Sequence, residues 1–201
     1  MISRVDHVSI AVHDFDKAFN FFTGILGAIP GSLGEDPRMQ YKWEVFSLGD
    51  MSRLELITPT GSKSFLNNFL KDRLGGVHHI TLQTPDIKKA RQILEEHGIP
   101  HFGFNDYGPI WKEIFIHPKD AFGVLVQLAE FNADDWISPS LRMQGNSRCT
   151  VEKNDEGIKI AFAHPGGGKA SVSLDVEEAK KLYEEISAIL FSEGKCDETN
   201  A

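Results

Sequence analysis

The stretch Val5-Asp6-His7-Val8-Ser9-Ile10-Ala11-Val12 returns as Val77-His78-His79-Ile80-Thr81-Leu82-Gln83-Thr84, 72 positions later. The same spacing carries Asp14 onto Asp86, Lys17 onto Lys89 and Ala18 onto Ala90. It reappears downstream, where Leu54-Glu55-Leu56 maps onto Val126-Gln127-Leu128. A register held across segments so far apart makes about the first 130 residues two copies of one supersecondary unit. Any fold for this chain has to place the two copies equivalently.

Within residues 5–12, Val8, Ile10 and Val12 alternate with His7, Ser9 and Ala11, the period-2 pattern of a strand with one face on a core. His7 then points to the opposite face. Asp14 or Asp16 caps the helix that follows, in which Phe15, Ala18, Phe19, Phe22, Ile25 and Leu26 share one side and which Gly27 ends. Residues 30–37, rich in Gly, Ser and Pro, read as a loop, and strands over about 39–48 and 51–58 follow, joined at Gly49-Asp50. Phe65, Leu66, Phe69 and Leu70 mark a short amphipathic helix before a turn at Gly75-Gly76. The second copy repeats the order: a strand over 77–84, a helix from Asp86 to Gly98, and strands near 99–104, 112–117 and 123–129. The fold class is therefore α+β, with two tandem βαβββ units over about 4–60 and 76–130 forming one domain, 1–130.

Residues 131–201 read as a linker and a small α/β extension. The segment 131–150 has little periodicity and suits a linker pinned by Trp136 and Ile137. Residues 150–162 read as a hairpin turning at Asn154-Asp155-Glu156-Gly157, with another strand at 170–174. Asp175 caps a last helix whose Val176, Ala179, Leu182, Tyr183, Ile186 and Leu190 share a face expected to dock on the main domain or on a partner chain. Residues 192–201 should fray. Gly166-Gly167-Gly168-Lys169 lacks the Walker spacing and the Ser/Thr after Lys, and so reads as a flexible turn.

At 41% hydrophobic, the 201 residues suffice for a soluble globular protein. No apolar run approaches the ~20 residues of a membrane span, and Met1-Ile2-Ser3-Arg4 leads directly into a strand, so no membrane and a cytoplasmic location are expected. Cys149 and Cys196 sit in polar surroundings and read as thiols. A net charge of −8 with scattered basic residues argues against nucleic acid.

His7 and Glu55 on the polar face of the first half-sheet imply His79 and Gln127 on the matching face of the second. Two imidazoles, a carboxylate and an amide oxygen converging between the halves suit a divalent ion such as Co²⁺, Mn²⁺, Ni²⁺, Fe²⁺ or Zn²⁺. His78 has the parity of Ile80 and Leu82 and reads as a structural residue on the helix side.

Gly75-Gly76-Val77-His78-His79-Ile80, Phe115-Ile116-His117-Pro118-Lys119-Asp120, Gly123-Val124-Leu125-Val126-Gln127-Leu128, and Leu54-Glu55-Leu56 with Pro59 carry a resemblance across about residues 4–130. With the duplicated unit, they resemble the vicinal oxygen chelate (glyoxalase/bleomycin-resistance) superfamily, and its methylmalonyl-CoA epimerase branch in particular. The resemblance implies a half-open barrel, metal ligands at His7, Glu55, His79 and Gln127, and a small-molecule substrate of acyl-CoA type. It implies proton abstraction next to a metal-polarised carbonyl by two bases. One family base falls on Glu44. The other position holds Gln127, an amide that accepts no proton, so Glu55 and Glu113 are candidates for the second. Ser9, Thr81, Tyr107 and Trp111 are candidate substrate contacts, and a homodimer is expected. A metal-dependent epimerase or isomerase leads. A glyoxalase-type lyase, a non-haem Fe(II) dioxygenase using His7, His79 and Glu55, and a non-catalytic binding protein are the alternatives.

Overall fold

The computed structural model describes residues 1–49, 51–143, 145, 147–155, 157–164 and 166–191. Asp50 and Glu156 of the two expected turns, Cys196, and the tail expected to fray lie outside the described residues. Among the described residues no helix is long and apolar enough to cross a membrane.

Eight strands make one curled sheet: β1 (Arg4–Val12), β2 (Ile29–Asp36), β3 (Tyr41–Ser47), β4 (Arg53–Pro59), β5 (Gly75–Gln83), β6 (Phe102–Asp106), β7 (Lys112–Ile116) and β8 (Val126–Glu130). Their order, β2-β3-β4-β1-β5-β8-β7-β6, is symmetric about the antiparallel β1–β5 pair, and β1–β4 and β5–β8 are the matching parallel pairs. The 72-residue echo is the trace of that pseudo-twofold. The helices α1 (Phe15–Asn20) and α3 (Ile87–Glu96) start the same way. Asp14 accepts from the Lys17 amide at 3.0 Å and Asp86 from the Lys89 amide at 2.9 Å, which explains why those two pairs map onto each other.

Each helix covers its half-sheet with a core of its own. Phe15, Ala28, Phe46 and Leu56 pack with Phe19 and Phe22 under α1, and Ile87, Ala90, Leu94, Ile114 and Leu128 pack under α3. On the concave side, Ala11 and Ile57 meet Leu66 and Leu70 of α2 (Leu66–Leu70), the short helix expected before the turn.

The structure departs from the sequence reading in several places. Residues 30–37 are not a loop: β2 pairs with β3 along most of its length. Its glycines serve close approach. A Cβ on Gly31 would stand 2.7 Å from the Trp136 carbonyl oxygen, and one on Gly34 would stand 2.6 Å from the Trp43 indole. The α1 helix widens into a π-helical turn over Phe21–Ile25, so the 3.6-residue stripe loses register and Ile25 and Leu26 face solvent. Strands β6 and β8 begin three residues later than expected, β8 because a 3₁₀ turn at Pro118–Asp120 and the residues after it occupy its predicted start.

After β8 the chain does not drift as a linker. Phe131, Ala133 and Ile137 are buried, and 3₁₀ turns at Ala133–Trp136 and Pro139–Leu141 form a strap against the sheet. Beyond it, β9 (Cys149–Lys153), β10 (Gly157–Ala163) and β11 (Lys169–Asp175) form an antiparallel sheet, flanked by α4 (Val176–Leu190) behind a capping box of Asp175 and Glu178. Docking of α4 on the main domain is not seen: α4 lies along β10 and β11, and Tyr183 (72%) and Leu190 (69%) are exposed.

The extension is instead joined to the barrel by the glycine turn, which is buried rather than flexible. Arg4 donates to the Gly166 carbonyl at 3.2 Å and the Gly168 amide donates to Asp134 at 2.7 Å. At Gly167 (φ +85°) a Cβ would lie 2.8 Å from the Ala133 carbonyl carbon. A left-handed backbone costs a side chain about 1–2 kcal/mol before that clash is counted. Gly167→Val should therefore lower the thermal midpoint by about 2–8 °C or more and speed proteolytic cutting between the strap and β9. An unchanged melting curve with unchanged cutting would mean that this turn holds nothing.

Candidate active site

Two β-bulges build the site. In the β1–β5 ladder His7 lies opposite Thr81 and Ser9 opposite His79, while Asp6 and His78 are left without a partner across the strands. A bulge takes its extra residue out of strict alternation, and both extra residues stand beside the histidine that follows them. Asp6 Oδ2 accepts from His7 Nδ1 at 2.7 Å, and the Nδ1 atoms of His78 and His79 share a proton across 2.9 Å. Burial brings His78 down to about 4, so it is a neutral ring able to accept that proton. With an acceptor at each Nδ1, both histidines turn the lone pair of Nε2 inward. Asp6 and His78 are themselves related by the 72-residue repeat, a signal in the sequence that the strict strand parity assigned to His78 had hidden.

Asp6 is locked in turn. Burial alone would raise its carboxyl, but the hydrogen bond from His7 and the charges of Arg53 and Arg4 outweigh it and hold it below the usual carboxylate range. Arg4 and Arg53 both pair with its Oδ1.

Inside this frame His7 Nε2 and His79 Nε2 lie 3.7 Å and 3.6 Å from the same Glu55 oxygen, and the three ligand atoms are all within 4.8 Å of one another. Bonds of about 2.1 Å to one ion allow ligand atoms up to about 4.2 Å apart, so small side-chain movements close the set. Burial holds His79 well below its ordinary value, leaving it neutral and ready to donate its lone pair. Burial also pushes Glu55 up, with Glu113 and Asp6 adding to it against His7 and Ser9. Three converging electron pairs, one on a carboxylate whose charge is poorly compensated, fit a divalent cation.

The Thr81 hydroxyl lies 2.8 Å from His7 Nε2 and donates to Gln127 Oε1; its one proton cannot serve both. Gln127 Nε2 donates to Glu113 at 2.7 Å. Gln127 thus links the histidine cluster to Glu113, whose other contacts are the Trp111 indole N–H and the Asn105 amide, each at 2.8 Å.

The cluster lies in a cavity of about 470 Å³. His7, Glu55, Gln127, Glu113, Tyr107 and Trp111 line it, as expected, together with Tyr41, Trp43 and Trp136, which the sequence reading did not single out for the site. Three other expectations are corrected. Tyr41, Trp43 and Val45 face the cavity, so Glu44 between them points to the helix side along with Phe46 of the α1 core; it is buried there, and burial raises its carboxyl. Ser9 and Thr81 are wholly buried beside the cluster, and the Thr81 hydroxyl meets His7 rather than open space.

The sequence profile of the Glyoxalase/Bleomycin resistance protein/Dioxygenase superfamily matches residues 6–109. The chain belongs to that superfamily. Among its relatives, the mitochondrial methylmalonyl-CoA epimerase of Homo sapiens is 36% identical over 139 residues, covering 64% of this chain and 74% of its own length. The ethylmalonyl-CoA/methylmalonyl-CoA epimerase of Cereibacter sphaeroides is 36% identical over 134 residues, 65% of this chain and 99% of its own. Among solved structures, methylmalonyl-CoA epimerase from Mycobacterium tuberculosis superposes with a TM-score of 0.60 at 26% identity, over 65% of this chain and 89% of its own. A methylmalonyl-CoA epimerase in complex with methylmalonyl-CoA and NH4+ gives 0.59 at 26%, over 69% and 100%. The curled eight-stranded sheet is the superfamily's half-barrel.

Two substitutions test the frame of the site. His79→Ala should abolish tight binding of Zn²⁺ or Co²⁺, and Asp6→Asn, which takes the charge behind His7 away, should weaken it by about 10–100-fold. Titration calorimetry of the metal-stripped protein measures both. Wild-type affinity in His79→Ala would remove this residue from the ligand set.

Proposed function

We propose that this protein is a divalent-metal-dependent epimerase or isomerase that removes a proton from the carbon next to a thioester carbonyl, in the manner of methylmalonyl-CoA epimerase, with an acyl-CoA as substrate. The observation that carries the reading is the His7–Glu55–His79 cluster with a second carboxylate, Glu113, joined to it by Gln127 in the same cup. The epimerase relatives support it.

His7, Glu55 and His79 would hold the ion, with Gln127 beside them. A divalent ion there supplies Lewis acidity, lowering the cost of negative charge on the substrate's carbonyl oxygen. Glu113 is the base on one face of the α-carbon. Three N–H donors fix its carboxylate, so no reorganisation is needed as the proton arrives. Of the three carboxylates expected as bases, Glu44 lies on the far side of the sheet, which leaves Glu55 to serve the other face. Trp43, Trp111 and Trp136 keep water from the reacting carbon. Asp6 and His78 are positioning residues that hold the ligand tautomers. A cytoplasmic homodimer fits the exposed apolar residues of α4, which a second chain would cover.

The test is α-proton exchange in D₂O with a panel of α-branched acyl-CoA thioesters and metal-loaded protein. Glu113→Gln keeps the shape and removes the acceptor, so exchange should fall by about 10²–10⁴ while metal content stays intact. Wild-type exchange in that variant would end the role of Glu113, and oxygen consumption without exchange would move the assignment to a dioxygenase.

A further inference from the structure

The chain has three tryptophans, and Trp43, Trp111 and Trp136 all line the one cup. They touch in series: the ring centroids of Trp111 and Trp136 are 4.9 Å apart and those of Trp43 and Trp136 are 5.5 Å apart, with Phe131 stacked behind Trp111 at 4.5 Å. Tyr41, Tyr107 and Ile110 extend the wall. Such a surface gains from covering apolar or aromatic groups and offers no charge.

The charged lining is one-sided. Five carboxylates, those of Asp6, Glu35, Asp36, Glu55 and Glu113, stand against the guanidiniums of Arg38 and Arg53. Arg53 is buried, paired with Asp6, and donates to the Ala133 carbonyl. Arg38 is 82% exposed, with Asp36 beside it at 3.8 Å. Neither guanidinium is placed to receive a carboxylate deep in the cup.

Resting on the acyl-CoA reading above, we infer that the preferred substrate carries an uncharged, bulky apolar group on its α-carbon, aryl or branched alkyl, seated against the three tryptophans, with Trp136 as the residue that sets this preference. Trp136 comes from the strap after β8, outside the duplicated unit, and spans the two repeat halves by touching Trp43 of one and Trp111 of the other. The α-proton passes to one carboxylate, which becomes protonated, and a second carboxyl that starts protonated gives its proton to the opposite face, the pair being reset by exchange with solvent. The acyl group is conserved, and no oxidant or reductant is needed.

The experiment compares binding of 2-phenylpropionyl-CoA and methylmalonyl-CoA to the zinc-loaded protein by titration calorimetry. The aryl thioester should bind at least about tenfold more tightly, as burial of one ring with aromatic contact allows. Trp136→Ala should cost the aryl thioester about tenfold more affinity than it costs methylmalonyl-CoA, and Trp136→Phe should restore most of that difference. Tighter binding of methylmalonyl-CoA, or an equal loss for both ligands in Trp136→Ala with none of it regained by Phe, would overturn the inference while leaving the acyl-CoA assignment standing. Failure of both thioesters to bind would overturn both.

Discussion

The antiparallel pairing of β1 with β5 is the contact on which the site depends, because it sets the two repeats face to face and fixes which residues meet. His7 opposite Thr81 and Ser9 opposite His79 bring both imidazoles to one side of the seam. A simple two-residue alternation would have sent Asp6 and His78 to the other side, away from the rings they hold. The two bulges resolve that conflict within the ladder itself, at a cost of one unpaired residue in each strand. The buried Asp6 carboxylate then needs counter-charge, which Arg4 and Arg53 provide. Breaking such a pair from one side leaves a charge in a dry place, a loss of about 3–5 kcal/mol. The orientation of His7 and the stability of the seam therefore rest on the same atoms.

Much of this was legible in the sequence, for a physical reason. A period-2 pattern relates residues of one strand without knowledge of their neighbours, and the repeat then carries the assignment across the pseudo-twofold. His7, Glu55, His79 and Gln127 could be placed together on that basis alone. The same arithmetic also excluded Glu44. The repeat maps Glu113 onto Tyr41 and Glu44 onto Ile116, which packs under α3. If Glu113 faces the cup, Tyr41 does so too, and Glu44, an odd number of residues along, cannot.

What composition could not convey was the purpose of a glycine. Gly31 and Gly34 looked like loop residues and are strand residues. Gly166 to Gly168 looked like slack and are a tightly packed joint. In each case a neighbour from another strand or segment, Trp136, Trp43 or Ala133, decides the matter. The face of α4 is apolar as its periodicity says, and it does not meet the barrel, because helical periodicity reports amphipathicity without saying what covers it.

Gly34 has a bearing on how such a cup changes its contents over evolutionary time. It does not line the cavity, yet the indole of Trp43 occupies the space its side chain would take. Even one methyl group there would push that ring toward the interior and narrow the room beside Trp136. The outer strand thus acts as a shim behind the aromatic wall, and the appetite of the enzyme could drift through a residue that lies outside the cavity and leaves the His7–Glu55–His79 cluster untouched.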